Sequence, residues 1–172
     1  MEICEIVNKV KHYAWNKGAP AAYSKFMPNS PAWIASCSLA VLIALYIVGA
    51  VSHGSLRHEV QTLPLWIPIV LGFRRSQFTK WAALPCFLFW LTIVIFIWLF
   101  LLGWAQILRG HFSSIEIAMT VLIWTACCCG LAVSLRWRTE TRLPQALAVL
   151  LLSGAFQWIA FRLSFIPFIA SQ

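Results

Sequence analysis

The sequence predicts an all-α membrane protein with about five transmembrane helices, or four if residues 61–73 are re-entrant, preceded by an amphipathic helix lying on the membrane surface. Three observations carry this prediction. Hydrophobic residues make up 61% of the 172-residue chain and charged residues only 10%, against about 25% charged in ordinary soluble domains. The apolar residues after Pro31 gather into four long runs and one short one. The basic residues fall in the connections between those runs, where orientation signals belong. The expected organisation is an interfacial helix and linker over 1–31, followed by one polytopic transmembrane domain over 32–172.

The net charge of +8 arises from 13 Lys and Arg against five acidic residues, all of them Glu. A nucleic-acid partner would need a basic face outside the bilayer with base-reading side chains, and the longest polar region is only residues 1–31. The expected partners are the lipid bilayer and other membrane protein subunits, with no nucleic acid. Five of the six cysteines, Cys37, Cys86 and the run Cys127, Cys128 and Cys129, lie inside apolar runs as small side chains. Three consecutive cysteines on a helix point about 100° apart, so they do not converge on one tetrahedral metal, and none is expected.

Residues 1–17 place Ile3, Ile6, Val7, Val10 and Ala14 on one helical face, with Glu2, Glu5, Lys9 and Lys11 off that stripe. This is the pattern of an interfacial amphipathic helix. Gly18 and Pro20 end it. The first apolar run, Trp33 to Val51, is expected to be a retained span rather than a cleaved signal, with Trp33 as an interfacial anchor. Ser36, Ala40 and Ala44 recur along it every four residues and form a smooth face for helix packing.

The next stretch is the ambiguous one. Its apolar core, Leu63 to Phe73, reaches only about 16 Å as a helix against a hydrocarbon thickness of about 30 Å. A full crossing must therefore recruit the polar residues from Ser55 onward. Pro64 and Pro68 each remove a backbone donor and tend to kink a helix that passes through them.

Trp81 to Leu108 follows as a long span, bulky on all sides between Trp90 and Leu102, and expected to face lipid or a partner over much of its surface. Ser113 and Glu116 fit the S-x-x-E capping pattern at the start of the next span, Ile115 to Leu135. Within that span Ala126, Gly130 and Ser134 repeat the every-four pattern of small packing residues. Pro144 suits the first turn of the last span, which runs to about Phe165, and Arg162 near its end can snorkel to the headgroups.

Charge counting distinguishes the topologies. With four crossings, Lys9, Lys11, Lys17, Lys25 and Arg109 face Arg57, Arg74, Arg75, Lys80, Arg136, Arg138 and Arg142, which is no bias. With five, the first side collects the four lysines with Arg74, Arg75, Lys80, Arg136, Arg138 and Arg142, leaving Arg57 and Arg109 opposite. The positive-inside rule therefore favours five spans, with the N-terminus cytoplasmic and the C-terminus on the far side. The expected location is the bacterial inner membrane.

This topology brings His53, Arg57, His58 and Glu59 to the non-cytoplasmic side together with His111 and Glu116. Arg57 and Glu59 are expected to lie near the headgroup level or in a wet cleft, able to pair, with His58 directed toward the connection carrying His111. Imidazoles and carboxylates can bind metal, haem or quinone, and ionisable groups in an apolar zone are functional candidates. Phe87, Phe89, Trp90, Phe96, Trp98 and Phe100 could likewise line a pigment, quinone or lipid-tail site. No phosphate-cradling glycine loop, G-x-S-x-G or H-E-x-x-H motif occurs.

The expected function is a non-catalytic, small multi-pass subunit or assembly factor of a larger membrane protein complex. The alternatives are a small oligomeric carrier or channel, and a redox or cofactor-binding subunit using the histidine-rich face.

Overall fold

The computed structural model describes residues 30–52, 55–104 and 112–166, and every regular element among them is helical. In chain order these are α1 (Ser30–Val51), α2 (Ser55–Thr62), a 3-10 turn (Leu63–Leu65), α3 (Trp66–Phe73), α4 (Thr79–Leu101), α5 (Ser114–Arg136) and α6 (Leu143–Leu163). The expected amphipathic helix, with His53 and His111, lies outside the described residues. Four helices, α1, α4, α5 and α6, are long and apolar enough to cross a membrane, which makes this an integral membrane protein.

Pro31 stands in the first turn of α1, where its missing N–H costs nothing because the first turn has no intrahelical partners. The helix thus begins two or three residues earlier than the Trp33 start expected from hydropathy. It is the most enclosed of the four long helices. Its buried side runs through Ile34, Ala35, Ser38, Val41, Leu42, Ala44, Leu45 and Gly49. The expected packing face is therefore rotated: Ala44 is buried, Ala40 is half-buried and Ser36 is exposed. The reason is that the broad stripe starting at Ile34 follows the i, i+4, i+7 period of a straight helix, and Ser36 falls on its far side.

Residues 55–73 form one continuous helical path of α2, the 3-10 turn and α3, about 30 Å long at standard rises. Pro64 and Pro68 each withhold a donor, and between them the helix tightens, with the Trp66 N–H reaching the Leu63 carbonyl. This path runs antiparallel to α1 along its length. Near its beginning, His58 packs on Gly49, so closely that a Cβ on Gly49 would lie 3.0 Å from the His58 Cβ. Near its end, a Cβ on Gly72 would stand 2.6 Å from the Pro31 carbonyl oxygen and 2.7 Å from the Ala35 Cβ. Only glycine permits that approach, since the first of these neighbours is backbone. The path ends at Arg75, whose φ of 55° lies in the left-handed region. The Arg75 N–H bonds the Gly72 carbonyl and the Ser76 N–H the Leu71 carbonyl, completing a Schellman cap with arginine where glycine is usual.

The second long helix, α4, begins at Thr79, not Trp81, and ends at Leu101, not Leu108. Gly103, at φ 75°, stops it. Its N–H bonds the Phe100 carbonyl and the Trp104 N–H the Leu99 carbonyl, a second Schellman cap that a reading by hydropathy alone passes over. The expectation of a largely peripheral helix holds for one half only. In the first half, Ala82, Ala83, Cys86, Phe87 and Trp90 are core, and Val94 extends that core past the midpoint, while Ile95, Phe96 and Leu102 are exposed.

In α5 the capping box is complete: the Ser113 N–H donates to Glu116 Oε2 at 2.7 Å and the Glu116 N–H to Ser113 Oγ at 3.3 Å. Ala126, Gly130 and Ser134 are all buried, and Gly130 lies directly against the Phe87 ring of α4. At the far end of α5, Lys80 Nζ donates to the Trp137 carbonyl at 2.9 Å and Trp81 Nε1 to Thr141 Oγ1 at 2.8 Å. These bonds fix the start of α4 against the connection between α5 and α6.

Two predictions follow from the close approaches. Gly130→Leu must displace the Phe87 ring and should lower stability by about 1–3 kcal/mol in thermal unfolding, whereas Phe96→Leu on the exposed half of α4 should change it by less than about 1 kcal/mol. Equal losses would contradict the assigned packing. Arg75→Gly should raise stability by about 1 kcal/mol, because it removes the cost of a Cβ in the left-handed region; a loss would mean that the Arg75 side chain contributes more than its backbone costs.

Candidate polar site on the broken helix

Arg57, His58 and Glu59 are consecutive on a helix, so their side chains point about 100° apart. That spacing governs the site. The Arg57 guanidinium turns toward the end of α6 and lies 4.4 Å from the centroid of the Phe165 ring. His58 turns toward α1 against Gly49, and Glu116 at the start of α5 is near enough to act on it electrostatically, as is Arg57. Glu59 points outward and is exposed. The expected Arg57–Glu59 pair does not form among the described residues, and the reason is geometric: residues two apart on a helix do not face each other. Glu116 is also partly committed, because its carboxylate closes the capping box of α5.

One turn further along α2 lies a polar contact that sequence reasoning missed. Gln61 Nε2 donates to Ser164 Oγ at 2.8 Å, joining α2 to the end of α6, and Ser164 Oγ donates in turn to the Phe161 carbonyl at 2.6 Å. Gln157 Nε2 reaches the Gln61 carbonyl at 3.5 Å. Gln61, Gln157 and Ser164 are all buried. The available signal was two glutamines within or beside apolar runs, where an amide side chain is retained only with hydrogen-bond partners. Their partners are distant in sequence and could not be read from it.

Among the described residues several polar atoms here have no partner: Arg57 Nε, His58 Nδ1 and Gln157 Oε1 are buried and make no hydrogen bond. Such atoms are expensive in an apolar surrounding, at about 1–3 kcal/mol each. They lie where α2 meets the ends of α1, α5 and α6, so this is the polar end of the bundle.

The cysteines gather in a way that spacing along one helix could not reveal. Cys86 of α4 and Cys127 of α5 lie in one buried cluster against which Cys37 of α1 packs, and all are free thiols. Among the described residues no group of three or more His, Cys, Asp or Glu side chains is arranged to hold a metal ion. The aromatic residues of α4 divide: Phe87 and Trp90 are core, Phe89 stacks edge-on against Phe161 at 5.0 Å, and Phe100 meets Phe112 at 5.9 Å. Trp98 lines an open apolar groove of about 490 Å³ with Ile95, Leu99 and Leu102 of α4 and Val121 and Trp124 of α5.

Gln157→Met tests how the buried acceptor is satisfied. The substitution conserves volume and removes both the unpaired Oε1 and the long 3.5 Å bond from Nε2 to the Gln61 carbonyl, so it should change the thermal stability of the isolated protein by less than about 1 kcal/mol. A loss above about 2 kcal/mol would show that the Gln157 amide is held by stronger hydrogen bonds than these. No protein family, curated protein or solved structure matches this chain.

Proposed function

We propose that the chain is a non-catalytic subunit or assembly factor of a larger membrane protein complex, crossing the membrane five times with its N-terminus in the cytoplasm. The observation that carries the partner reading is Glu59. It is exposed on the membrane-embedded bundle, close to the level at which His58 meets Gly49 of α1, and it forms no ion pair among the described residues. Beside it, His58 keeps Nδ1 unpartnered. A carboxylate facing outward at the end of the bundle is placed to meet a basic or hydrogen-bonding side chain of a neighbouring subunit.

Two observations support the five crossings. The 55–73 path matches the length of a span and runs antiparallel to α1 from Gly49 to Pro31. The described basic residues also segregate. Arg74, Arg75, Lys80, Arg136, Arg138 and Arg142 sit at the end where α1 begins, and Arg57 and Arg162 sit at the other. By the positive-inside rule the richer end is cytoplasmic, and the bacterial inner membrane is the location in keeping with that asymmetry.

The partner reading is tested by placing a photo-crosslinking amino acid at Glu59 and, as a control, at exposed Leu151 of α6 in cells, followed by purification in mild detergent. Position 59 should capture one defined membrane protein and position 151 only lipid; capture of lipid alone from both would overturn the reading. For the topology, reporters fused after Lys80 and Arg142 should report cytoplasm, and those after Glu59 and Gln172 the opposite side. Finding the Glu59 and Lys80 fusions on one side would remove the fifth crossing.

A further inference from the structure

The last turns of α6 carry an open pocket of about 450 Å³ lined by Trp158, Phe161, Arg162, Phe165 and Ile166. Its lining is one cation set among aromatic and aliphatic walls, with no carboxylate. The walls are ordered by ring contacts: Trp158 meets Phe161 at 6.3 Å, and Phe161 meets Phe165 at 4.9 Å with the rings steeply inclined. Phe161 is braced from behind by Phe89 of α4. Phe165 also carries the Arg57 guanidinium at 4.4 Å, close enough for a cation–π contact that holds Arg57 at the pocket edge. Arg57 and Arg162 are the two basic residues described at this end of the bundle. Phe165, which Arg57 covers, lines the pocket together with Arg162.

The depth of the pocket suits one kind of occupant. It sits at the terminus of a membrane-spanning helix, where headgroups meet acyl chains, and it is open on the outer surface of the bundle. Arg162 is exposed there, and the half-buried Arg57 lies over the Phe165 ring that lines the pocket. Guanidinium groups bind phosphate through paired N–H donors, and the aromatic walls below offer an apolar surface of the kind that lines a lipid chain. We propose that Arg57 and Arg162 form a binding site for the phosphate of an anionic phospholipid, with one acyl chain lying along Trp158 and Phe161. This inference goes beyond the partner reading, which rests on Glu59 and His58 on other faces of α2.

Native mass spectrometry of the full chain in detergent tests it, by titration with phosphatidylglycerol or phosphatidylcholine of the same acyl chains. Phosphatidylglycerol should bind several-fold more tightly. Arg162→Gln should reduce its affinity about fivefold, the amount expected for one surface cation, while phosphatidylcholine changes less. Arg162→Lys should retain most of the preference, and Arg136→Gln, at the opposite end, all of it. Arg57→Gln should act like Arg162→Gln; if it fails to fold, the exposed Arg162 variants decide the matter alone. Equal affinity for the two lipids, or an unchanged preference in Arg162→Gln, would overturn the proposal. Displacement of the lipid by millimolar inorganic phosphate would overturn it in favour of a site for the free anion.

Discussion

The fold depends on the contact between α1 and the proline-broken helix that returns along it. Two glycines make that contact possible, Gly49 under His58 near one end and Gly72 under Pro31 and Ala35 near the other. Without them the backbones could not approach, and in a bilayer, where lipid competes equally for apolar side chains, close backbone packing replaces the hydrophobic effect as the main source of association. The same logic recurs at Gly130, where α5 presses on the Phe87 ring of α4. The interior is thus built from small residues meeting large ones across helix pairs, and α6 closes the bundle against α4 and the polar end of α2.

That polar end is a consequence of length. The apolar core of the broken helix, Leu63 to Phe73, is shorter than α1, so the path that runs along α1 continues through Arg57, His58, Glu59 and Gln61. At that end of the bundle, helical geometry sends each to a different neighbour. Arg57 goes to the aromatic end of α6, His58 to α1 and the capped start of α5, and Gln61 to Ser164, while Glu59 is left facing outward. One short, mixed segment therefore supplies the hydrogen bond from α2 to the end of α6, the cation on the Phe165 ring and the carboxylate for which a partner is proposed.

Much of this was legible where the signal was local. Hydropathy found the four long helices, the S-x-x-E spacing found the capping box at Ser113, and every-four spacing found Ala126, Gly130 and Ser134 in the interior. What failed was set by backbone conformation or by neighbours distant in the chain. Gly103 ended α4 seven residues before the expected Leu108 because a left-handed cap outweighs the apolar residues beyond it. Ser36 fell outside the packing face because the orientation of α1 is decided by the helices against it. The Gln61–Ser164 bond and the gathering of Cys37, Cys86 and Cys127 join residues on different helices, which no spacing along one helix encodes.

The central claim is that residues 55–73 return the chain along the whole of α1. A distance measurement between spin labels tests it most directly, with labels at Trp33 and Phe73, both exposed, in a variant with the native cysteines replaced by alanine and reconstituted in lipid. Because Gly72 lies against Pro31, the account predicts a distance below about 20 Å, that of labels on adjacent helices whose axes are about 8–10 Å apart. A segment that dips and turns back would leave Phe73 at the end of α1 marked by Val51, about 27 Å from Trp33 along the helix axis, and a distance of that order or longer would contradict the account.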